Sequence, residues 1–132
     1  MTHAQGTFDV KVLPQDNSTQ ASTLGRFLLD KEYHGDLEAK GEGQMLSAGT
    51  NVKGSGAYVA IERVTGTLKG RSGSFTLQHA GTMSNGKPSM TVTVVPDSGT
   101  EKLSGITGSM RINVAADGKH TYDFEYALPN AD

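Results

Sequence analysis

The segment DLEAKGEGQMLS, residues 36–47, alternates polar residues with small or apolar ones from Asp36 to Met45. Successive side chains of a β-strand point to opposite faces of its sheet, so a period of two residues is typical of a half-buried strand. The segment therefore predicts a strand whose core-facing positions are small or apolar: Leu37, Ala39, Gly41, Gly43 and Met45.

The same period recurs near both ends of the chain. Phe8, Val10 and Val12 alternate with polar residues, and the aromatic residues of KHTYDFEYAL, residues 119–128, alternate with acidic ones. No window of comparable length keeps the period of a helix. The alternating runs predict about eight strands, at residues 6–13, 24–34, 36–48, 56–65, 73–83, 89–96, 108–116 and 119–128.

Turn-forming residues separate these runs. Asn85-Gly86 and Asp117-Gly118 are dipeptides that accept positive φ at both central positions of a tight hairpin. Pro14 to Ser22 reads as a polar loop, and Pro96 to Thr100 ends another strand because proline cannot donate to a central ladder. Short strands without helices between them indicate a sandwich or a barrel, and we favour a barrel because closure removes exposed edges.

The expected architecture is therefore all-β, a single antiparallel eight-stranded barrel over residues 1–132, with residues 1–5 as a flexible terminus. A chain of 132 residues is one ordinary domain and is long enough to bury one core.

Composition narrows the classes of function. The 12 Lys and Arg are scattered and the formal net charge is −2, which argues against a nucleic-acid partner. There is no cysteine, which excludes disulfides, thiolate chemistry and the usual structural zinc sites. The sequence has neither an apolar run near the roughly 20 residues of a membrane helix nor a recognisable secretory signal. We expect a cytoplasmic protein with no membrane partner, no metal and no cofactor.

A glycine pattern occurs twice, as LKGRSGSFTL at 68–77 and as LSGITGSMRI at 103–112. A phosphate-binding loop needs its glycines immediately before a helix, whereas both copies run into alternating, strand-like residues. The pattern therefore favours architecture over ligand binding. We expect Leu68 and Leu103 to plug one end of the barrel while the glycines turn the chain into the next strand.

The second copy lies within SGTEKLSGITGSMRI, residues 98–112, which is similar to the glycine-rich corner of allene oxide cyclases and dirigent proteins. It departs from that corner at two positions, because Glu101 stands where a glycine is usual and Leu103 replaces an aromatic residue.

A closer resemblance covers nearly the whole chain, from Gly6 to Pro129. GSFTLQHAGTM at 73–83, VVPDSGT at 94–100 and GKHTYDFEYALP at 118–129 resemble a family of small bacterial proteins called domain of unknown function 3224. This resemblance implies an eight-stranded barrel of the allene oxide cyclase type. It implies no activity.

His79 is the strongest candidate for a catalytic or ligand-binding residue. It shares the parity of Phe75 and Leu77, so its imidazole is expected to point into the barrel. An inward histidine can act as a general acid or base or anchor a ligand, although a buried histidine more often serves structure.

Glu62 is a second catalytic candidate, in a strand of uncertain orientation. One face of AYVAIERV carries Tyr58, Ala60 and Glu62. The other face carries β-branched residues, which slightly favour an inward orientation of that second face. With the first face inward, a carboxylate suited to proton transfer would stand in the lumen beside a phenol.

Aromatic and glycine residues suggest a cavity. The stripe of Tyr122, Phe124 and Tyr126 is typical of a core, but phenols can also orient a ligand, so Tyr122, Tyr126, Tyr58 and His79 are the candidate ligand-binding residues. Inward Gly41 and Gly43 either leave space in the lumen or allow the strand to coil.

Three functions remain open at this point. The leading one is a barrel that binds a small, largely apolar molecule. The second is an enzyme of the isomerase or cyclase kind that uses Glu62 or His79 for proton transfer. The third is a structural or regulatory module that forms a homo-oligomer through exposed apolar residues such as Leu28 or Val95.

Overall fold

The computed structural model describes residues 1–15 and 23–129 and folds them into a closed antiparallel barrel, which confirms the predicted fold class. Each strand pairs with the next along the chain, and the first pairs with the last. A short 3₁₀-helix, Glu101–Leu103, precedes the seventh strand. The strands are β1 (Thr2–Pro14), β2 (Leu24–Gly35), β3 (Leu37–Gly49), β4 (Gly56–Leu68), β5 (Arg71–Ser84), β6 (Lys87–Val94), β7 (Thr107–Val114) and β8 (His120–Ala127).

The N-terminus differs from the sequence prediction. Residues 1–5 were expected to form a flexible terminus, but β1 begins at Thr2, which pairs with Tyr126 of β8. Ala4 is completely buried, and His3 hydrogen-bonds to Asp123. The partner strand lies at the far end of the sequence, so no local pattern could reveal this pairing.

The hairpin turns are largely as predicted. Asn85 and Gly86 both have positive φ, at 49° and 85°, and join β5 to β6. In the last hairpin only Gly118 has positive φ, and its N–H donates to the carbonyl of Ala115, so that connection is a longer loop than the expected two-residue turn. Of the predicted loop Pro14 to Ser22, residues 16–22 lie outside the described residues.

The two glycine-rich segments are corners of the barrel, as predicted. Gly70 and Gly105 have φ of 83° and 79°, and each turns the chain from a buried leucine into a strand. Leu68 and Leu103 are fully buried and pack in the core. We call this the corner end of the barrel.

The opposite end, where β3 turns into β4 and β5 into β6, is the mouth. Side chains that face the lumen are tightly buried near the corner end, as Phe75 and Phe124 illustrate, whereas Met83 and Met90 near the mouth are 42% and 46% exposed. The barrel is therefore filled at one end and open at the other.

Closure is uneven around the barrel. Every residue of β3 pairs with one of β4, but among the described residues only Thr93 and Ser109 pair between β6 and β7. The β6–β7 seam is thus the weakest join in the sheet.

No helix in residues 1–15 and 23–129 is long and apolar enough to cross a membrane.

Candidate functional site

The structure settles the orientation of β4. Glu62 is completely buried and Ala60 nearly so, whereas Val59 and Ile61 are each 53% exposed. The expectation that the β-branched face points inward is therefore wrong. The inward face is the one that carries the carboxylate, because cross-strand partners inside the barrel stabilise its charge.

Three donors surround the Glu62 carboxylate. Lys31 Nζ donates to Oε1 at 3.1 Å, and the Tyr33 hydroxyl donates to Oε2 at 2.5 Å. His79 Nε2 lies 2.8 Å from Oε1. These four side chains, from β2, β4 and β5, form what we call the carboxylate cluster, and all of them are buried.

The cluster keeps Glu62 ionised. Burial by itself raises the pKa of Glu62, but the hydrogen bond from His79, the charge of Lys31 and the hydrogen bond from Tyr33 together bring it below its ordinary value. Since a carboxylate only accepts hydrogen bonds, His79 donates through Nε2. The pKa of Tyr33 is raised well above its usual value by burial and by the neighbouring Glu62 charge, so the phenol stays protonated.

Gly41 makes room for the carboxylate. A Cβ built on Gly41 would stand 2.1 Å from Glu62 Oε2, and one built on Gly43 would stand 2.2 Å from the carbonyl oxygen of Ile61. Neither inward glycine leaves an empty space. The volume at Gly41 is filled by Glu62, which is the reason for glycine at that position.

A separate hollow lies at the mouth. It has a volume of about 350 Å³ and is lined almost wholly by apolar atoms; we call it the mouth cavity. Tyr58, Met45 and Gly81 lie on its wall. On β3 and β5, Met45 and Gly81 are the next inward residues toward the mouth after Gly43 and His79. On β4, Tyr58 follows Glu62 and Ala60 in the same direction. No member of the carboxylate cluster is among its lining residues, which include Met45, Ser47, Tyr58, Gly81, Met83 and Met90.

Comparisons with known proteins identify the family. The family model described as "Protein of unknown function (DUF3224)" matches residues 4–126. The chain belongs to the DUF3224 family. A crystal structure of a DUF3224 protein of unknown function from Shewanella oneidensis MR-1 is similar to it over 99% of both chains, with 46% sequence identity and a TM-score of 0.93. No curated protein matches the chain. The likeness to allene oxide cyclases stays a prediction.

The four candidate ligand-binding residues of this DUF3224 chain lie in different places. Tyr58 lines the mouth cavity, and His79 belongs to the carboxylate cluster. The Tyr122 hydroxyl donates to the carbonyl oxygen of His34 and accepts from the N–H of Leu37, which fixes the β2–β3 turn. Tyr126 stacks on Phe124 near the corner end.

Sequence reasoning about the DUF3224 chain missed Lys31 and Tyr33. The signal was present, because Leu29, Lys31 and Tyr33 share one parity in RFLLDKEYHG and all three are buried. A lysine between two apolar inward positions predicts a buried counter-charge.

The other histidines of the DUF3224 barrel lie outside the cluster. His120 begins β8 and its ring lies 5.0 Å from that of Phe8, while His34 and His3 approach carboxylates at the surface. Within the described residues no group of three histidine or acidic side chains is arranged to hold a metal ion.

Proposed function

We infer that the protein is a binding barrel that takes a small, largely apolar molecule in its mouth cavity. The observation that carries this proposal is a hollow of about 350 Å³ whose walls are almost entirely apolar. Ligand pockets are typically concave and apolar, with few polar groups to orient the ligand, and their volumes begin near 300 Å³.

The wall residues suit a ligand of flexible or variable shape. Met45, Met83 and Met90 supply unbranched, polarisable side chains that adapt to different outlines. Tyr58 supplies the polar anchor, since within the described chain its hydroxyl makes no hydrogen bond. Partial burial raises the pKa of Tyr58, so at neutral pH the phenol can donate to a ligand oxygen.

The carboxylate cluster supports binding over catalysis. Glu62 has no exposed surface, three donors already occupy it, and its lowered pKa makes it a poor base. A general base works best when its pKa lies near the working pH and it can reach the substrate proton. An isomerase or cyclase that uses Glu62 or His79 would have to break this cluster first.

The test combines recovery of the natural ligand with a designed block. Mass spectrometry of the natively purified protein should detect a co-purifying small apolar molecule. Titration with the probe 1-anilinonaphthalene-8-sulfonate should show that Met90→Trp, which fills the mouth cavity, weakens binding by about tenfold or more, since a displaced ligand loses most of its buried area.

Thr91→Trp is the matched control, because Thr91 is exposed on the outer face of the same strand. It should bind the probe as the wild type does. Equal binding by both tryptophan variants would place the probe elsewhere and contradict the proposal. His79→Gln should also keep probe binding, and loss of turnover of a recovered substrate in that variant would favour the isomerase or cyclase function instead.

A further inference from the structure

The outside of the barrel carries an apolar surface that the proposed function does not use. Leu46, Val59 and Ile61 are 56%, 53% and 53% exposed, and Leu28 beside them is 40% exposed. Leu46, Val59 and Ile61 line a shallow depression of about 420 Å³ together with Gln44, Ala60, Gln78 and His79. Leu28 lies beside it, opposite Gln44 in the register, and Gln44 and Gln78 complete the exposed part of this surface. We call these six exposed residues the outer patch. A contiguous exposed apolar surface of this kind usually marks an interaction site.

The register of β3 and β4 arranges the centre of the outer patch in rows. Leu46 pairs with Val59, Gln44 with Ile61, and one row further toward the corner end Glu42 pairs with Arg63. The side chains in these rows all point outward, and Glu42 and Arg63 are exposed. The acidic Glu42 therefore lies on β3, and the basic Arg63 lies directly opposite it on β4.

This arrangement is complementary to itself. A second copy can be placed face to face about a two-fold axis that runs parallel to the strands between β3 and β4. In each row, the β3 residue of one copy then faces the β4 residue of the same row in the other copy. Glu42 then faces Arg63 of the second copy, and Arg63 faces Glu42 of the second copy. The same operation places Leu46 against Val59 in both directions.

We propose that the outer patch is the interface of a symmetric homodimer, in which two reciprocal Glu42–Arg63 ion pairs flank an apolar centre of Leu46, Val59 and Ile61. An isologous interface requires this self-complementarity, since the same surface serves both subunits. An apolar centre with a charged rim is also the ordinary anatomy of a protein interface.

The charges are available for this contact. Among the described residues no ion pair involves Glu42, although Arg63 is its partner in the register. Within residues 1–15 and 23–129, the one hydrogen bond of the Arg63 guanidinium goes to the hydroxyl of Ser74, at 3.5 Å. An unmatched acid and base beside an exposed apolar surface favour a second copy of this chain over a partner of one charge sign, which would repel one of the two.

The homodimer is independent of the mouth cavity. The outer patch points away from the barrel axis, whereas the residues that line the mouth cavity, such as Met45 and Tyr58, face the lumen or its rim. The two proposals rest on different residues, so either can fail without the other.

Sedimentation equilibrium over a range of protein concentrations tests the proposal. The wild type should sediment as a dimer that dissociates on dilution. Val59→Asp should be monomeric, whereas Val114→Asp, at a residue 63% exposed on β7, should remain dimeric. Circular dichroism confirms that both variants fold, as expected for substitutions at exposed positions.

A charge swap tests the geometry of the interface. Glu42→Arg alone should weaken the dimer by about tenfold or more, because like charges would face each other across the interface. The double variant Glu42→Arg/Arg63→Glu should restore the wild-type dissociation constant. A wild type that stays monomeric, a dimer that survives Val59→Asp, or a double variant as weak as the single one would each overturn the proposal.

Discussion

Glu62 joins three strands through the lumen of the barrel. Its partners Lys31 and Tyr33 come from β2 and His79 from β5, so one carboxylate links strands that are not all neighbours in the sheet. The ammonium of Lys31 also lies 4.9 Å from the ring centroid of Phe8 on β1. A buried charge is tolerated only when it is paired and hydrogen-bonded, and here each group satisfies another.

Glu62→Gln should lower the free energy of unfolding by about 3–5 kcal/mol at pH 7, because it leaves the Lys31 charge buried without a counter-ion. Urea denaturation measures the change. Glu32→Gln, an exposed change on β2 outside the outer patch, is the control and should stay within about 0.5 kcal/mol of the wild type. Adding Lys31→Met to Glu62→Gln should recover part of the loss, and a further loss would contradict the assignment.

The same residue predicts a pH dependence. The pKa of Glu62 is lower in the folded protein than its ordinary value of 4.5, so the unfolded chain takes up the proton first as the pH falls. The stability from this group is fully present above the unfolded pKa and is lost as the pH falls through the folded pKa. Urea midpoints measured from pH 7 downward should fall less for Glu62→Gln than for the wild type, and parallel curves would exclude this role.

Gly41 is the position where the carboxylate cluster constrains the sequence most directly. Gly41→Ala should destabilise the barrel by about 2 kcal/mol or more, since the new Cβ would overlap Glu62 Oε2 and force the cluster apart. Gly49→Ala on the same strand is the matched control, because its Cβ would meet nothing nearer than the Thr23 carbonyl oxygen at 3.8 Å. Equal thermal midpoints for the two variants would show that the cluster adapts without cost.

At the scale of elements, each of the two corners has a glycine at its turn, but the surroundings of the two glycines differ. Both Gly70 and Gly105 need positive φ, which costs an alanine roughly 1–2 kcal/mol. A Cβ on Gly70 would meet nothing within 4 Å, whereas one on Gly105 would stand 2.5 Å from Pro129 Cγ. Gly105→Ala should therefore lower the unfolding free energy clearly more than Gly70→Ala, as urea titrations can show; the reverse order would contradict the packing at this corner.

The strands were predictable because each has its own period and turn signals, and the eight predicted runs match the eight observed strands. Orientation was predictable where one face is clearly apolar, as in Phe75, Leu77 and His79. It failed at β4, since Val59 and Ile61 are β-branched yet lie outside. The inward lysine of β2 left a signal in the sequence, but the contacts of the carboxylate cluster could not be predicted, because they join residues 17 to 31 positions apart.

Glu101 has a backbone conformation that is uncommon for residues other than glycine. Its φ is 52° at the start of the 3₁₀-helix. The chain therefore adopts a left-handed conformation here without a glycine to indicate it in the sequence.

The whole molecule is organised in layers along the barrel axis. The corner end is packed with leucine and aromatic side chains, the carboxylate cluster occupies the middle, and the mouth cavity opens above it. The cluster thus separates a closely packed core from a more open rim.

The barrel should open first at the β6–β7 seam. Among the described residues, Thr93 and Ser109 form the only cross-strand pair between these two strands. Native-state hydrogen exchange should show amides of the mouth-side half of β6 exchanging through low-energy openings, while those in the middle of β3 and β4 exchange only on global unfolding. An apolar ligand in the mouth cavity should slow exchange near Met90, which lines it, more than the gain in global stability alone would, whereas amides in the middle of β3 and β4 should slow only by that gain. Uniform protection around the barrel would mean that the seam is no weaker than the other joins.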